Sequence, residues 1–197
     1  MTPRHAALPL PRRAAAEPLA RDWLAAQWNV RADALPLRRD ARGRPRLGVP
    51  MQDFDAGWSH CGDWLLVACG EGLRLGCDLE RLRPRPNARA LVRRFFHPRE
   101  GDWLDSLPED ETAMAFLRLW CAKEAVLKAH GHGLSFGLHR LRFAQTGTGL
   151  VLAECDPRLG RPGDWYLHEF TPMPEHHAAI AWHPLPAPTT DAAILCR

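Results

Sequence analysis

The residues able to carry out chemistry lie mainly in two short segments. In "GCDLERL", Asp78 and Glu80 are separated by one residue, and alternate residues of a strand point to the same face, so their carboxylates would project together. In "LWCAKEAVLKAH", Glu124 and Lys128 are four positions apart, which places both on one face of a helix. If that helix packs across the strand, three carboxylates and one ammonium group meet.

Three converging carboxylates indicate a site for a divalent cation. Oxygen ligands of this kind suit Mg²⁺, which keeps water and phosphate in its other coordination positions. The metal would bridge a substrate pyrophosphate, and Lys128 would act as a point charge on the same phosphates. The plainer interpretation is a solvated Glu–Lys helix pair worth ~0.3 kcal/mol, beside an ordinary exposed strand. Spacing alone favours this plainer interpretation.

Two weaker candidates for anion binding lie earlier in the chain. Ser59 and His60 precede an apolar strand, where a histidine donor could meet an anion or simply cap the end of the strand. Arg44 lies between Gly43 and Pro45, in a constrained turn suited to a phosphate contact. Neither segment is specific by itself, because short motifs of this kind are common.

Apolar periodicity predicts the helices that would position these residues. The predicted helices cover residues 14–28, 88–96 and 111–129, and Gly131 and Gly133 end the last one. The segment that carries Glu124 and Lys128 is therefore the longest predicted helix.

Strands are predicted between and after these helices. Residues 63–82 are typical of two strands joined as a hairpin at Gly70-Glu71-Gly72. Further short strands are predicted within residues 138–156 and 165–183, and the tail from about residue 184 is expected to be loose. A helix followed by strands in each half predicts an α+β fold, with the chain divided into residues 1–85 and 86–197.

The composition is that of an ordinary globular protein. Of the 197 residues, 46% are hydrophobic and 25% charged, and the net charge is only +3. Six cysteines are scattered without a C-x-x-C pair, which favours reduced thiols in a cytoplasmic protein. We expect no signal peptide and no transmembrane helix, because the longest strongly apolar run, residues 64–69, is too short to span a bilayer.

Five segments, taken in order, resemble the phosphopantetheinyl transferases of the longer, Sfp-type class, in which one chain forms a pseudo-dimer. They are "GRP" (43–45), "WSHC" (58–61), "LGCDLE" (75–80), "RFFHPRE" (94–100) and "LWCAKEAVLKAHGHGLSF" (119–136). The last is the most specific, because its W-x-x-K-E-A-x-x-K pattern from Trp120 to Lys128 has the family's spacing. Cys61 departs from the family, which usually has a second serine there.

The resemblance implies a site in the cleft between two α+β halves related by a pseudo-twofold axis. Coenzyme A would bind there, with Mg²⁺, or Mn²⁺, on its pyrophosphate held by Asp78, Glu80 and Glu124. The implied cofactor-binding residues are Arg21, Arg44, Ser59, His60, Lys123 and Lys128, and Arg12 or Arg13 would replace basic contacts near the N-terminus. With the resemblance, the metal site becomes the favoured interpretation.

The reaction implied by the resemblance is attack by a serine hydroxyl of an apo carrier protein on the β-phosphate of coenzyme A. It transfers 4′-phosphopantetheine and releases 3′,5′-ADP. The implied catalytic residues are Asp78, Glu80, Glu124 and Lys128, with Glu124 as the base, since a serine hydroxyl is a poor nucleophile until its proton is accepted. Arginines between residues 81 and 94 are candidates for docking an acidic carrier.

The expected protein is a cytoplasmic, monomeric transferase that binds neither nucleic acid nor membrane. One alternative is a non-catalytic relative that binds a carrier protein or a nucleotide without transfer. Loss of Asp78, Glu80 or Glu124 would favour that alternative, and all three are present. An arginine-rich nucleic-acid binder ranks last, because its affinity would fall steeply with salt and no binding motif is recognised.

Lys123 and Lys128 are the only lysines among the 26 Lys and Arg residues. A compact ammonium suits a phosphate beside a carboxylate-held metal, where a broad guanidinium group would crowd the site. This is our explanation for Lys128, whereas Lys123 would support the acceptor or the nucleotide.

Overall fold

The structure, a computed structural model, describes residues 2–185, and within them it contains ten strands and four α-helices. The first elements are β1 (Arg4–Pro9), α1 (Ala16–Trp28), β2 (Leu37–Arg39), β3 (Pro45–Leu47), β4 (Phe54–Cys61), β5 (Trp64–Glu71) and β6 (Leu73–Arg81). They are followed by α2 (Ala88–Phe95), α3 (Pro98–Ser106), α4 (Glu109–His130), β7 (Leu141–Thr146), β8 (Gly149–Cys155), β9 (Tyr166–Phe170) and β10 (His176–Pro184).

Two three-stranded antiparallel sheets form the centre of the molecule. Their strand orders are β1-β5-β4 and β6-β10-β9, while β2-β3 and β7-β8 form separate two-stranded ribbons. The mixture of helices and antiparallel strands confirms the predicted α+β class. The pseudo-twofold relation between two similar halves stays a prediction.

Alternation along β5 shows how the sheets and helices are layered. Leu65 and Val67 pack with Leu24 of α1, whereas Leu66 packs with Leu75 of β6 in the layer between the two sheets. Along β10 the same alternation sends Ala179 and Ala181 into the cluster that contains the apolar residues of α4. The order of layers is therefore α1, first sheet, second sheet, α4.

The predicted hairpin over residues 63–82 is wrong. β5 pairs with β1 and β4, whereas β6 pairs with β10 of the other sheet. Only Gly72, at φ +65°, separates the two strands, and the shortest common hairpin loops have two residues. The chain turns at Gly72 from one sheet to the other, and β5 and β6 both have apolar faces that the sequence alone cannot assign.

The three predicted helices are confirmed as α1, α2 and α4, while α3 and the first four strands, β1 to β4, were not predicted. Ser59 and His60 lie inside β4 rather than in a segment before a strand. The boundary at residue 85 stays a prediction, although β6, which precedes it, belongs to the sheet of the C-terminal half. Most of the tail predicted to be loose from about residue 184 lies outside the described residues.

The cysteines of the described residues are free thiols and differ in burial. Among the described residues Cys69, Cys77 and Cys121 are buried, Cys61 and Cys155 are partly buried, and all five are free. No helix between residues 2 and 185 is long and apolar enough to cross a membrane.

Candidate active site

Gly76 allows β6 to lie directly against the backbone of α4. A Cβ atom at this position would lie closer than 3.0 Å to Ala125 O, Ala129 N and the Lys128 carbonyl carbon, so a larger residue does not fit. Asp78 follows two residues later on β6. The glycine thus sets the distance between the acidic strand and the helix. In the sequence, an isolated glycine within a predicted strand is typical of such a close approach between backbones.

Asp78, Lys128 and Ser59 form a closed triangle of polar contacts. Lys128 Nζ lies 2.6 Å from Asp78 Oδ1 and donates to Ser59 Oγ at 3.1 Å. Ser59 Oγ in turn donates to Asp78 Oδ1 at 2.9 Å. Three separate elements, β4, β6 and α4, therefore supply one side chain each.

Glu80 and Glu124 complete the acidic cluster. Burial raises the pKa of Glu80, and the charge of Asp78 adds to this rise. Burial also raises the pKa of Glu124, with further contributions from Asp78 and Glu80 against the opposing charge of Lys128. The three negative charges repel one another, so a bound cation would stabilise the ionised form of these carboxylates.

Lys128 is a charged group in these surroundings. Burial alone would lower the pKa of Lys128, but the charge and hydrogen bond of Asp78, together with the charge of Glu124, outweigh burial and raise it. The side chain also lines a cleft of about 230 Å³ together with Arg42, Trp58 and Gly131. The ammonium therefore lies between the carboxylates and a concave surface.

The donor set fits a hard divalent cation. Asp78 Oδ2 is buried and accepts no hydrogen bond from residues 2–185, and in the same part of the chain no hydrogen bond or ion pair reaches the carboxylates of Glu80 and Glu124. No three of the described His, Cys, Asp or Glu side chains are arranged as a metal site. Mg²⁺ commonly binds through one or two carboxylates and keeps several waters, so these residues suit it.

Arg44 does not face the acidic cluster. Its guanidinium pairs with the Asp55 carboxylate at 2.6 Å and 3.0 Å, and donates to Leu75 O at 2.7 Å and Lys128 O at 2.8 Å. Only 8% of Arg44 is exposed. These contacts engage its guanidinium, and Arg44 also lines the cleft that Lys128 lines. Its predicted phosphate contact stays a prediction.

Lys123 is part of the framework, and its predicted contact with the cofactor is wrong. The side chain is fully buried and pairs at 2.8 Å with Glu100, which is also fully buried. The ammonium donates to Leu138 O at 2.9 Å and to Leu141 O, and lies 4.9 Å from the centre of the Phe96 ring. Burial lowers the pKa of Lys123 to about 8, although Glu100 opposes this.

Glu100, which pairs with Lys123, also fixes the start of α3. It closes a capping box with His97 at the start of α3 and accepts the Phe143 N–H at 2.7 Å. Sequence reasoning noted "RFFHPRE" as a motif and gave Glu100 no role. The sequence does contain a pattern typical of a helix start that predicts a capping role for Glu100. Pro98 lies in the first turn, and Glu100 follows the cap residue His97 by three positions.

The remaining predicted residues lie apart from the carboxylates. His60 is exposed and, because neighbouring strand residues point to opposite faces, lies on the other side of β4 from Ser59. It lines an open cavity of about 710 Å³ with Arg12 and Arg13. Arg21 donates to carbonyl groups after α1, including Leu35 O at 2.9 Å, and its predicted role with the cofactor stays a prediction.

A family comparison matches the region of the chain that contains β6 and α4. A sequence model described as the 4′-phosphopantetheinyl transferase superfamily matches residues 74–181, more than half of the chain. The chain belongs to the 4′-phosphopantetheinyl transferase superfamily. The matched region includes Asp78, Glu80, Glu124 and Lys128, whereas Ser59 of the triangle precedes it.

Individual members of the superfamily are similar over most of this chain. It is 34% identical over 152 residues to the 4′-phosphopantetheinyl transferase HetI of Nostoc sp., covering 74% of this chain and 61% of that protein. It is 28% identical over 177 residues to the human L-aminoadipate-semialdehyde dehydrogenase-phosphopantetheinyl transferase, covering 81% and 56%. The chain thus spans about three fifths or less of the length of these curated relatives.

One solved structure aligns with part of the chain. The crystal structure of a holo-(acyl-carrier-protein) synthase from Bacillus anthracis, in complex with coenzyme A, aligns with a TM-score of 0.45 and 17% identity. The alignment covers 57% of this chain and 96% of that one.

Proposed function

We propose that this chain transfers 4′-phosphopantetheine from coenzyme A to a serine of an apo carrier protein and releases 3′,5′-ADP. The supporting observation is the acidic cluster itself. Asp78 is paired with Lys128 at 2.6 Å beside the carboxylates of Glu80 and Glu124, and all four residues lie within the range that the superfamily model matches.

Glu124 is the proposed general base. It is 8% exposed, and burial raises the pKa of its carboxylate, which makes it a stronger proton acceptor than an ordinary glutamate. The serine hydroxyl of the carrier would lose its proton to Glu124 as its oxygen bonds to the β-phosphorus of coenzyme A. The bond from that phosphorus to the bridging oxygen then breaks, and 3′,5′-ADP leaves.

Lys128 is the proposed stabiliser of phosphate charge. The described residues engage two of its three N–H groups, at Asp78 and Ser59, so the third can donate to a pyrophosphate oxygen. Of the predicted ligands Asp78, Glu80 and Glu124, one or two would hold Mg²⁺ directly, and Mg²⁺ when bound neutralises part of the pyrophosphate charge.

The test is intact-mass analysis of an apo carrier protein incubated with this protein, coenzyme A and Mg²⁺. We expect the carrier to gain the mass of one phosphopantetheine arm. Glu124→Gln should abolish the gain, whereas Glu111→Gln, an exposed glutamate in the first turn of the same helix, should not. If fatty-acid, polyketide and peptide carriers all stay unmodified while coenzyme A still binds, the proposal is wrong.

A further inference from the structure

One oxygen of Asp78 serves two partners at once. Asp78 Oδ1 is 2.6 Å from Lys128 Nζ and accepts the Ser59 hydroxyl at 2.9 Å. Asp78 Oδ2 is buried and receives no hydrogen bond from the described residues. The carboxylate that belongs to the proposed metal site is therefore already paired with a cation of the chain itself.

Lys128 also has access to the neighbouring cleft. Its side chain is 36% exposed, against 5% for Asp78, and it lines the cleft with Arg42 and Trp58. The flexible four-carbon stem of a lysine allows the ammonium to change partners while the helix backbone stays in place. The same group can thus face Asp78 or an anion in the cleft.

We propose that Lys128 and a divalent cation compete for Asp78, and that an anionic phosphate in the cleft relieves the competition by drawing the ammonium away. Two cations on one carboxylate repel each other, so each weakens the binding of the other. An anion in the cleft gives Lys128 another partner and frees Asp78. Metal and pyrophosphate then favour each other's binding, and by linkage the effect is equal in both directions.

This inference rests on the proposed function, because it takes Asp78 as a metal ligand. It assigns Lys128 a second role besides contact with phosphate. The ammonium keeps divalent cations weakly bound until coenzyme A is present, so the loaded site would assemble mainly as a complex of both ligands.

The test is a titration with Mn²⁺ alone, without coenzyme A, followed by the electron paramagnetic resonance signal of free Mn²⁺. Lys128→Met removes the competing charge at similar length and should bind Mn²⁺ at least about fivefold more tightly than the wild type, within the range of known site couplings. Lys128→Arg keeps the charge and should bind Mn²⁺ as weakly as the wild type. If Lys128→Met does not fold, as judged by circular dichroism, Lys128→Gln carries the same expectation.

Two controls separate competition from general electrostatics. The charge of Arg85 acts on Glu80, and the structure shows no contact of Arg85 with Asp78, so Arg85→Gln should change Mn²⁺ affinity less than Lys128→Met does. Adding coenzyme A should raise Mn²⁺ affinity by a larger factor in the wild type than in Lys128→Met.

Three results would overturn the inference. Equal or weaker Mn²⁺ binding by Lys128→Met would show that the ammonium does not compete, and an equal gain in Arg85→Gln would show a field effect without a shared ligand. Both results leave the proposed transferase intact. If Asp78→Asn binds Mn²⁺ as tightly as the wild type, Asp78 is not a metal ligand. That result would contradict both this inference and the metal site of the proposed function.

Discussion

The two lysines of the chain are both paired with carboxylates, yet their surroundings give them different roles. Lys123 and Glu100 are each fully buried, and the lysine also binds two backbone carbonyl groups. Lys128 is paired with Asp78 at the edge of a cleft, with 36% of its side chain exposed. Only Lys128 can therefore reach a ligand, whereas Lys123 holds helices and strands together.

Removing Lys123 should destabilise the protein strongly without a direct effect on cofactor binding. In Lys123→Met the Glu100 carboxylate would stay buried without its cation, which typically costs about 3 to 5 kcal/mol of the free energy of unfolding. Adding Glu100→Gln removes the unpaired charge, so the double variant should be more stable than Lys123→Met alone. Urea unfolding, followed by tryptophan fluorescence, gives the free energy of unfolding of Lys123→Met, Glu100→Gln and the double variant.

The double variant also tests the framework role of Lys123 directly. Its affinity for coenzyme A should match that of the wild type at a temperature at which both are folded. A large loss of affinity in a folded Lys123 variant would return this residue to the cofactor site. A double variant whose loss of stability equals the sum of the two single losses would show that the pair is not coupled.

Sequence spacing was informative about which residues share an element and less so about where each side chain points. Asp78 and Ser59, which lie on different predicted segments, converge with Lys128. Lys123 immediately precedes Glu124 in the same motif, yet adjacent helix residues point in directions about 100° apart. The motif could not show that this turn carries Lys123 into the core.

At the scale of elements, the contact between β6 and α4 depends on one glycine. A methyl group in Gly76→Ala would meet backbone atoms of Ala125 and Ala129, which cannot rotate away as a side chain can. The strand and helix must then separate, at a cost of about 1 to 3 kcal/mol of the free energy of unfolding. A displacement near 1 Å at the acidic cluster should lower the transfer rate by about a hundredfold.

The rate is measured with the intact-mass assay at a temperature at which the variant is folded. Gly101→Ala on α3 is the matched control, because its nearest neighbour would be Cγ of the Arg93 side chain at 3.5 Å, an ordinary contact, and Gly101 does not line the cleft. Full activity in a folded Gly76→Ala variant would contradict the view that this contact positions the site.

The helices with a regular apolar spacing were predicted correctly, whereas the sheets to which β5 and β6 belong were not. The helices α1, α2 and α4 follow from apolar spacing within each segment. The sheets to which β5 and β6 belong depend on β1, β4 and β10, far away in sequence. The short helix α3, "PREGDWLDS", contains a glycine and four charged residues, so its composition gives little helical signal and its cap is the main indication.

At the scale of the whole molecule, buried and partly buried ion pairs connect layers that are distant in sequence. Arg44 joins the β2-β3 ribbon to Asp55 of β4, to β6 and to the carbonyl of Lys128 on α4. On the opposite side, Arg118 of α4 binds Glu169 of β9 at 2.8 Å and 2.9 Å. The helix that carries Glu124 is thus fixed to both sheets by charged groups, and none of these pairs could be predicted from the sequence.

Glu169 should make the stability of the whole molecule sensitive to acid. Burial alone would raise the pKa of Glu169, but its contacts with His177 and Arg118 outweigh burial and lower it from 4.5 to about 2. A carboxyl with a lowered pKa in the folded state adds stability above its unfolded pKa, and this stability is lost as the pH falls through the folded pKa. A difference of about 2.5 in pKa corresponds to an upper limit of about 3 kcal/mol.

Urea unfolding at a series of pH values between about 7 and 2 tests this contribution, with Glu169→Gln compared with the wild type. The variant should be less stable at pH 7, and the two curves should converge as the pH falls from about 4.5 towards 2, because protonation of Glu169 then removes from the wild type the charge that the variant already lacks. Glu175→Gln is the control, since Glu175 pairs with Arg81 at 2.6 Å on the exposed surface, where solvent screens the pair, and its curve should stay close to that of the wild type. If the Glu169→Gln and wild-type curves run parallel over the whole range, the partly buried pair of α4 and β9 does not stabilise the fold through charge, and packing alone fixes the helix.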